Sequence, residues 1–163
     1  MERGSTTFLK IAIFLIGAPV LAICVLLLPK IAMEAFEHAQ DGAQLAYVVF
    51  TILFILYASA VPFYIALFQA FKLLNYIDKN EAFSQMSVDA LTKIKTCGKI
   101  IFGLYIVALP FVYLVAEWDD APGLIVINLV IVGASLLVAV FAAVLQRLLQ
   151  QAINIKSEND LTV

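Results

Sequence analysis

Glu34 is followed at intervals of three, four and seven residues by Glu37, His38 and Asp41, a spacing that would align the four side chains on one helix face. A second short segment adds Glu117, Asp119 and Asp120. Six carboxylates and the chain's one histidine have the chemistry of a weak divalent-cation site or of an attractor for cationic peptides. The simpler expectation is an acidic rim that keeps positive charge off the translocated side, with no resident metal. The two cysteines cannot do thiol chemistry together. Cys24 and Cys97 fall near opposite ends of their apolar segments, about 20 Å apart along the helix axes, whereas a disulfide needs α-carbons about 5.5 Å apart. They read as small apolar fillers. Ionisable side chains within apolar spans mark ion or proton pathways by default, and the spans of this chain hold none. Their polar content is Cys24, Thr51, Ser59, Gln69, Asn128 and Ser135, with the tyrosines 57, 64, 105 and 113. That argues against a proton-coupled exporter, and Asn128 reads as interhelical glue. No catalytic residue and no cofactor are expected, and the chain is not expected to be an enzyme.

The elements that carry these residues follow from composition. Of 163 residues, 64% are hydrophobic and 13% charged, against about 25% charged in an ordinary soluble domain. The mean hydropathy is +1.03. A soluble enzyme, a disulfide scaffold and a disordered tail are excluded, and a membrane protein is implied. Crossing about 30 Å of hydrocarbon takes about 20 apolar residues in a helix. Four uncharged runs serve, at 11–28, 45–71, 100–116 and 124–145. Runs of this length read as helices rather than alternating barrel strands. The first has a basic approach in Arg3 and Lys10, but it exceeds a signal-peptide core and lacks a small-x-small exit, so it is expected to remain as a span. The expected fold is all-α: a polytopic membrane protein whose single domain, 1–163, is an antiparallel four-helix transmembrane bundle.

Charge orients the bundle. Nine of the ten basic residues lie in the N-terminal arm, the 72–99 segment and the 146–163 tail, which share one side; Lys30 alone lies on the other. By the positive-inside rule both termini are cytoplasmic in a cell membrane. The inner segments sum to +3 and the outer loops to −5. Insertion and attraction to anionic lipid account for the inner lysines, so no direct nucleic-acid binding is inferred.

Two helices are expected to outrun the bilayer. After Phe71 the apolar pattern continues to about Ile77, and Asp78-Lys79-Asn80-Glu81 reads as a turn. Ser84 or Ser87 would cap the next helix. Val88, Leu91, Ile94, Gly98 and Ile101 then form a stripe that Lys93, Lys95 and Lys99 largely avoid. Spans two and three should therefore form a cytoplasmic hairpin over 72–99, with Phe83 folded back as a staple. The 117–123 loop is short, so spans three and four are antiparallel neighbours. Trp118, with Tyr113 a turn earlier, suits an interfacial anchor, and Pro122 suits the next helix start. Ser135, Ala139 and Ala143 form a small-residue face for close helix approach, within the bundle by preference or between copies in a homo-oligomer. Pro62 and Pro110 lie inside spans two and three.

Residues 73–84, Leu-Leu-Asn-Tyr-Ile-Asp-Lys-Asn-Glu-Ala-Phe-Ser, the Ala-Leu-Thr-Lys-Ile-Lys core within 87–101 and the tail 151–163 together resemble a known family. It is the YoaS-like family, bacterial domain-of-unknown-function proteins with four spans. One departure is Asn80-Glu81-Ala82, where a glycine and a second small residue or proline would be expected in the turn. The resemblance implies no activity and carries over no catalytic residue. It implies a neighbouring small helix-turn-helix regulator, hence a cytoplasmic partner. The leading functional expectation is a non-enzymatic regulatory or docking protein. Its candidate contacts are Asp78, Lys79, Glu81, Phe83, Lys93, Lys95 and Arg147, drawn from the hairpin and the tail. The alternatives are a small permease or transporter subunit, with a path lined by Gln69, Asn128, Ser59 and the tyrosines, and an envelope-stress or immunity-type protein that meets cationic peptides through its acidic loops.

Overall fold

The computed structural model describes residues 3–38 and 42–162; the side chains of Arg3, His38 and Ala43 are outside that description. Helix α1 (Arg3–Ala22) passes through one π-helical turn (Ile23–Leu27) into α2 (Leu28–His38), and together they make the first span. The other spans are α3 (Ala43–Asp78), α4 (Gln85–Trp118) and α5 (Gly123–Leu161). All four are long and apolar enough to cross a membrane, and the described residues contain no strand. The all-α four-span expectation is met.

At 36, 34 and 39 residues, α3, α4 and α5 are each more than about 50 Å long, well beyond a 30 Å hydrocarbon layer. For α3 and α4 this is the expected hairpin. For α5, whose span the sequence reading bounded at Leu145 with a tail from 146, the helix runs on through that tail to Leu161. Residues 146–161 contain neither glycine nor proline, and Leu145, Leu148, Leu149 and Ala152 keep a helical apolar spacing. Loss of hydrophobicity ends a span but does not end a helix.

The turns show how the helices stop. The Glu81 N–H donates to Tyr76 O (2.7 Å) and the Asn80 N–H to Ile77 O (3.1 Å), a Schellman arrangement with Asn80 left-handed at φ 59°. Asparagine thus fills the position where a glycine was expected, because its short polar side chain tolerates that region. Asp120 does the same after α4 at φ 51°, with the Ala121 N–H bonded to Ala116 O. Ser84 occupies the N-cap position of α4, yet its hydroxyl donates backward to Glu81 O instead of capping the helix.

Helix α4 is the spine. It packs along α3 on one side and α5 on the other, whereas α3 and α5 make little direct contact. The approach to α5 is close at Gly98, where a Cβ would sit 3.1 Å from both Ala139 N and Ser135 O. The small-residue face is therefore used within the chain: Ser135 and Ala139 are buried and Ala143 is half-buried.

The first span packs chiefly on α3 and is pegged to it by polar links. Asp78, at the end of α3, accepts from the Thr6 hydroxyl and pairs with Lys10 at 2.7 Å. Lys10 also lies over the Phe71 ring, which meets Phe14 edge-on. The Tyr64 hydroxyl donates to Gly17 O (2.8 Å) and the Tyr57 hydroxyl to Cys24 O (3.0 Å). The last bond has a clear cause. In the π turn the Leu28 N–H bonds Ile23 O rather than Cys24 O, and the next residue, Pro29, has no N–H. Tyr57 supplies the donor that the backbone withholds.

Candidate functional site

With α3 and α5 held on either side of α4 but apart from each other, a seam runs between them. It opens into space at both ends. Midway, three side chains close it. The Ser59 and Tyr105 hydroxyls are 3.1 Å apart, and the Asn128 amide donates to Tyr105 O at 3.2 Å. All three residues are buried, and among the described residues no buried side-chain polar atom lacks a partner. This layer ties α3, α4 and α5 together at a depth where an unpaired polar group would be costly.

At the end that carries the termini, a groove of about 430 Å³ is walled by Leu73 and Ile77 of α3, Phe83 of the turn, Leu91 of α4 and Leu148 and Leu149 of α5. These walls lie on the helical extensions beyond the uncharged runs. Phe83 corrects the staple expectation: it is 63% exposed at the groove's edge. Ala82 beside it is half-buried, so the turn directs the methyl inward and leaves the ring outside. Met86 and Leu148 are also exposed. Sequence reasoning missed the α5 wall; its signal was the apolar spacing in 145–152.

The seven residues expected to meet a partner are not gathered in one place. Phe83 lines the groove, and Lys79, Glu81, Lys93 and Arg147 are exposed on the same extensions. Lys95 is half-buried and donates to Gln146 Oε1 at 2.9 Å, joining α4 to α5. Asp78 is occupied by the first span. Thr6 and Lys10 stand four residues apart and so share one face of α1, which lets both reach it.

At the opposite end the seam holds a more enclosed cavity of about 340 Å³. Its walls include Leu53 and Leu56 of α3, Ala108 and Val112 of α4 and Ile127 of α5, with Asp119 at the mouth. A smaller space of about 200 Å³ shares Ile31, Val49, Val115 and Asp119 with it and adds Glu34 of α2. Of the acidic-rim residues, Glu34 and Asp119 therefore approach one opening. Both are exposed, as are Glu37, Glu117 and Asp120, and Asp41 and the His38 side chain lie outside the described residues. No group of three metal-ligating side chains assembles among the described residues. Cys24 and Cys97 are both free, Cys97 buried.

A family model described as "Protein of unknown function (DUF2975)" matches residues 33–163, that is, α3 to α5 and the last residues before them. Over all 163 residues, and over the full length of both chains, the sequence is 58% identical to "Uncharacterized membrane protein YoaS" of Bacillus subtilis (strain 168). No solved structure matches the chain.

Proposed function

The chain belongs to the DUF2975 family, and from that membership and this geometry we propose a non-enzymatic membrane protein that docks and regulates a cytoplasmic partner. The termini face the cytoplasm in this reading, since nine of the ten basic residues lie at that end. The observation that carries it is the groove with Phe83 exposed at its edge, built on helix extensions that insertion does not require.

The groove's chemistry describes its occupant. An apolar trough bounded by helices accepts the apolar face of an amphipathic helix. The segments at that end are net basic, with nine bases against six carboxylates, which favours acidic residues on the flanks of that helix. A small helix-turn-helix regulator, the partner class expected from the YoaS-like resemblance, would bring such a helix. The permease alternative is less well supported. Ser59, Tyr105 and Asn128, which would line its path, are bonded to one another or to backbone, and the space beyond them has mainly apolar walls.

The test uses the full chain in nanodiscs and a small helix-turn-helix regulator of the class the resemblance implies, with binding measured by interferometry. Wild-type protein should bind, and Phe83→Glu or Leu148→Glu should weaken binding at least about tenfold, roughly 1.4 kcal/mol. Absence of binding, or binding unchanged by both substitutions, would contradict the reading.

A further inference from the structure

The cavity at the end away from the termini plays no part in docking, and its features converge on a different ligand. It lies near the lower limit of small-molecule sites, about 300–1,000 Å³, and its volume of about 340 Å³ would hold roughly ten water-sized groups at ~30 Å³ each. Its walls come from α2, α3, α4 and α5 and are almost wholly aliphatic. Besides Asp119, two polar residues line it: the Tyr105 hydroxyl faces Ser59, and the Asn128 amide N–H donates to a backbone carbonyl. Such a space rejects a polar solute and does not favour water. It fits a single alkyl chain of about ten to twelve carbons.

The opening has the opposite character. Glu34 and Asp119 both border the contiguous space there, and among the described residues neither is in a salt bridge. Lys30 is the only basic residue in the two connecting segments at this end. It lies one helical turn before Glu34 without pairing to it. A ligand with its tail in the cavity would place its head between two carboxylates.

We infer that this cavity binds an alkylammonium amphiphile, with the hydrocarbon chain inside the seam and the ammonium group at Glu34 and Asp119. Both ends of the ligand are needed. The chain supplies burial at about 25 cal/mol per Å², and the ammonium supplies charge-assisted hydrogen bonds that an alcohol or a sulfate of equal length lacks.

Trp118 is the chain's one tryptophan and directly precedes Asp119, so its emission reports the opening. The full chain in phosphatidylglycerol nanodiscs would be titrated with dodecylammonium, dodecanol and dodecyl sulfate. Dodecylammonium should change the emission saturably at one molecule per chain. Glu34→Gln and Asp119→Asn should each weaken it about tenfold, as loss of a hydrogen bond to a charged group does. Val112→Phe, which fills the cavity, should abolish the response. If that variant unfolds by circular dichroism, Ile127→Phe at the cavity's side replaces it and should weaken binding at least about threefold. Repetition in phosphatidylethanolamine nanodiscs distinguishes two sources of the same chemistry: competition identifies a membrane lipid as the natural ligand, and an unchanged titration identifies a free amphiphile. A non-saturating change shared by wild type and variants would overturn the proposal. So would equal saturation by dodecyl sulfate, or saturation indifferent to both carboxylate substitutions.

Discussion

The two ends of the α4 seam arise from one packing arrangement and differ in depth and in the charge around them. At the terminal end the space is an open groove between helix extensions, with Phe83 exposed and the flanking segments net basic. At the other end it is a more enclosed cavity among the spans, with Glu34 and Asp119 at its mouth. The cause is the same in both: α3 and α5 follow α4 without packing on each other. The contrast separates what packing provides, an apolar space, from what the ends of the elements provide, its depth and the sign of its rim. A partner helix and a small amphiphile are the occupants we propose for them.

The largest expected effect falls on one end alone. Combining Phe83→Glu with Leu148→Glu should reduce partner binding about a hundredfold, near 2.8 kcal/mol, in an interferometry assay. Trp118 emission and membrane insertion should be unchanged. A concurrent change in Trp118 emission would show that the two ends are coupled. Next is the contact that holds the seam open on both sides. Gly98→Leu should cost about 2–3 kcal/mol, because the new side chain meets the backbone of Ser135 and Ala139 rather than a flexible tip. The measurement is thermal unfolding in detergent, and both binding activities should fall together.

Smaller effects concern the first span, which touches neither end of the seam except through α2. Asp78→Ala should destabilise by about 1–3 kcal/mol, since it leaves Thr6 and Lys10 without their shared acceptor. Hydrogen exchange should rise in the first turns of α1 while Gly98 and its surroundings stay protected. Tyr57→Phe should be mildest, about 1 kcal/mol, with faster exchange confined to the π turn around Cys24. Equal loosening of α4 and α5 by either substitution would erase the distinction between a pegged first span and a close-packed remainder.

Much of this architecture was legible in the sequence, and the parts that were not share a physical reason. Charge-free runs and basic segments specify spans and their overshoot, because insertion acts on the composition of a whole segment. The Gly98 stripe and the Ser135–Ala139 face were visible because helical spacing puts such residues together. The Asp78 clasp was not, since pairing Lys10 with a residue 68 positions away depends on which spans become neighbours. Phe83 was misjudged because the direction of a side chain in a turn follows from the Schellman geometry at Asn80, not from hydrophobicity. The grooves themselves are spaces between helices, and no single segment encodes a space.

The central claim is that the groove beside Phe83 faces the cytoplasm and holds a partner. A photo-crosslinking residue placed at position 83 in intact cells tests it most directly, with position 33, at the other end and 69% exposed, as the comparison. The account predicts an adduct with a soluble cytoplasmic protein from position 83, lost when Leu148→Glu is added, and none from position 33. An adduct with that protein from position 33, or only lipid adducts from position 83, would contradict it.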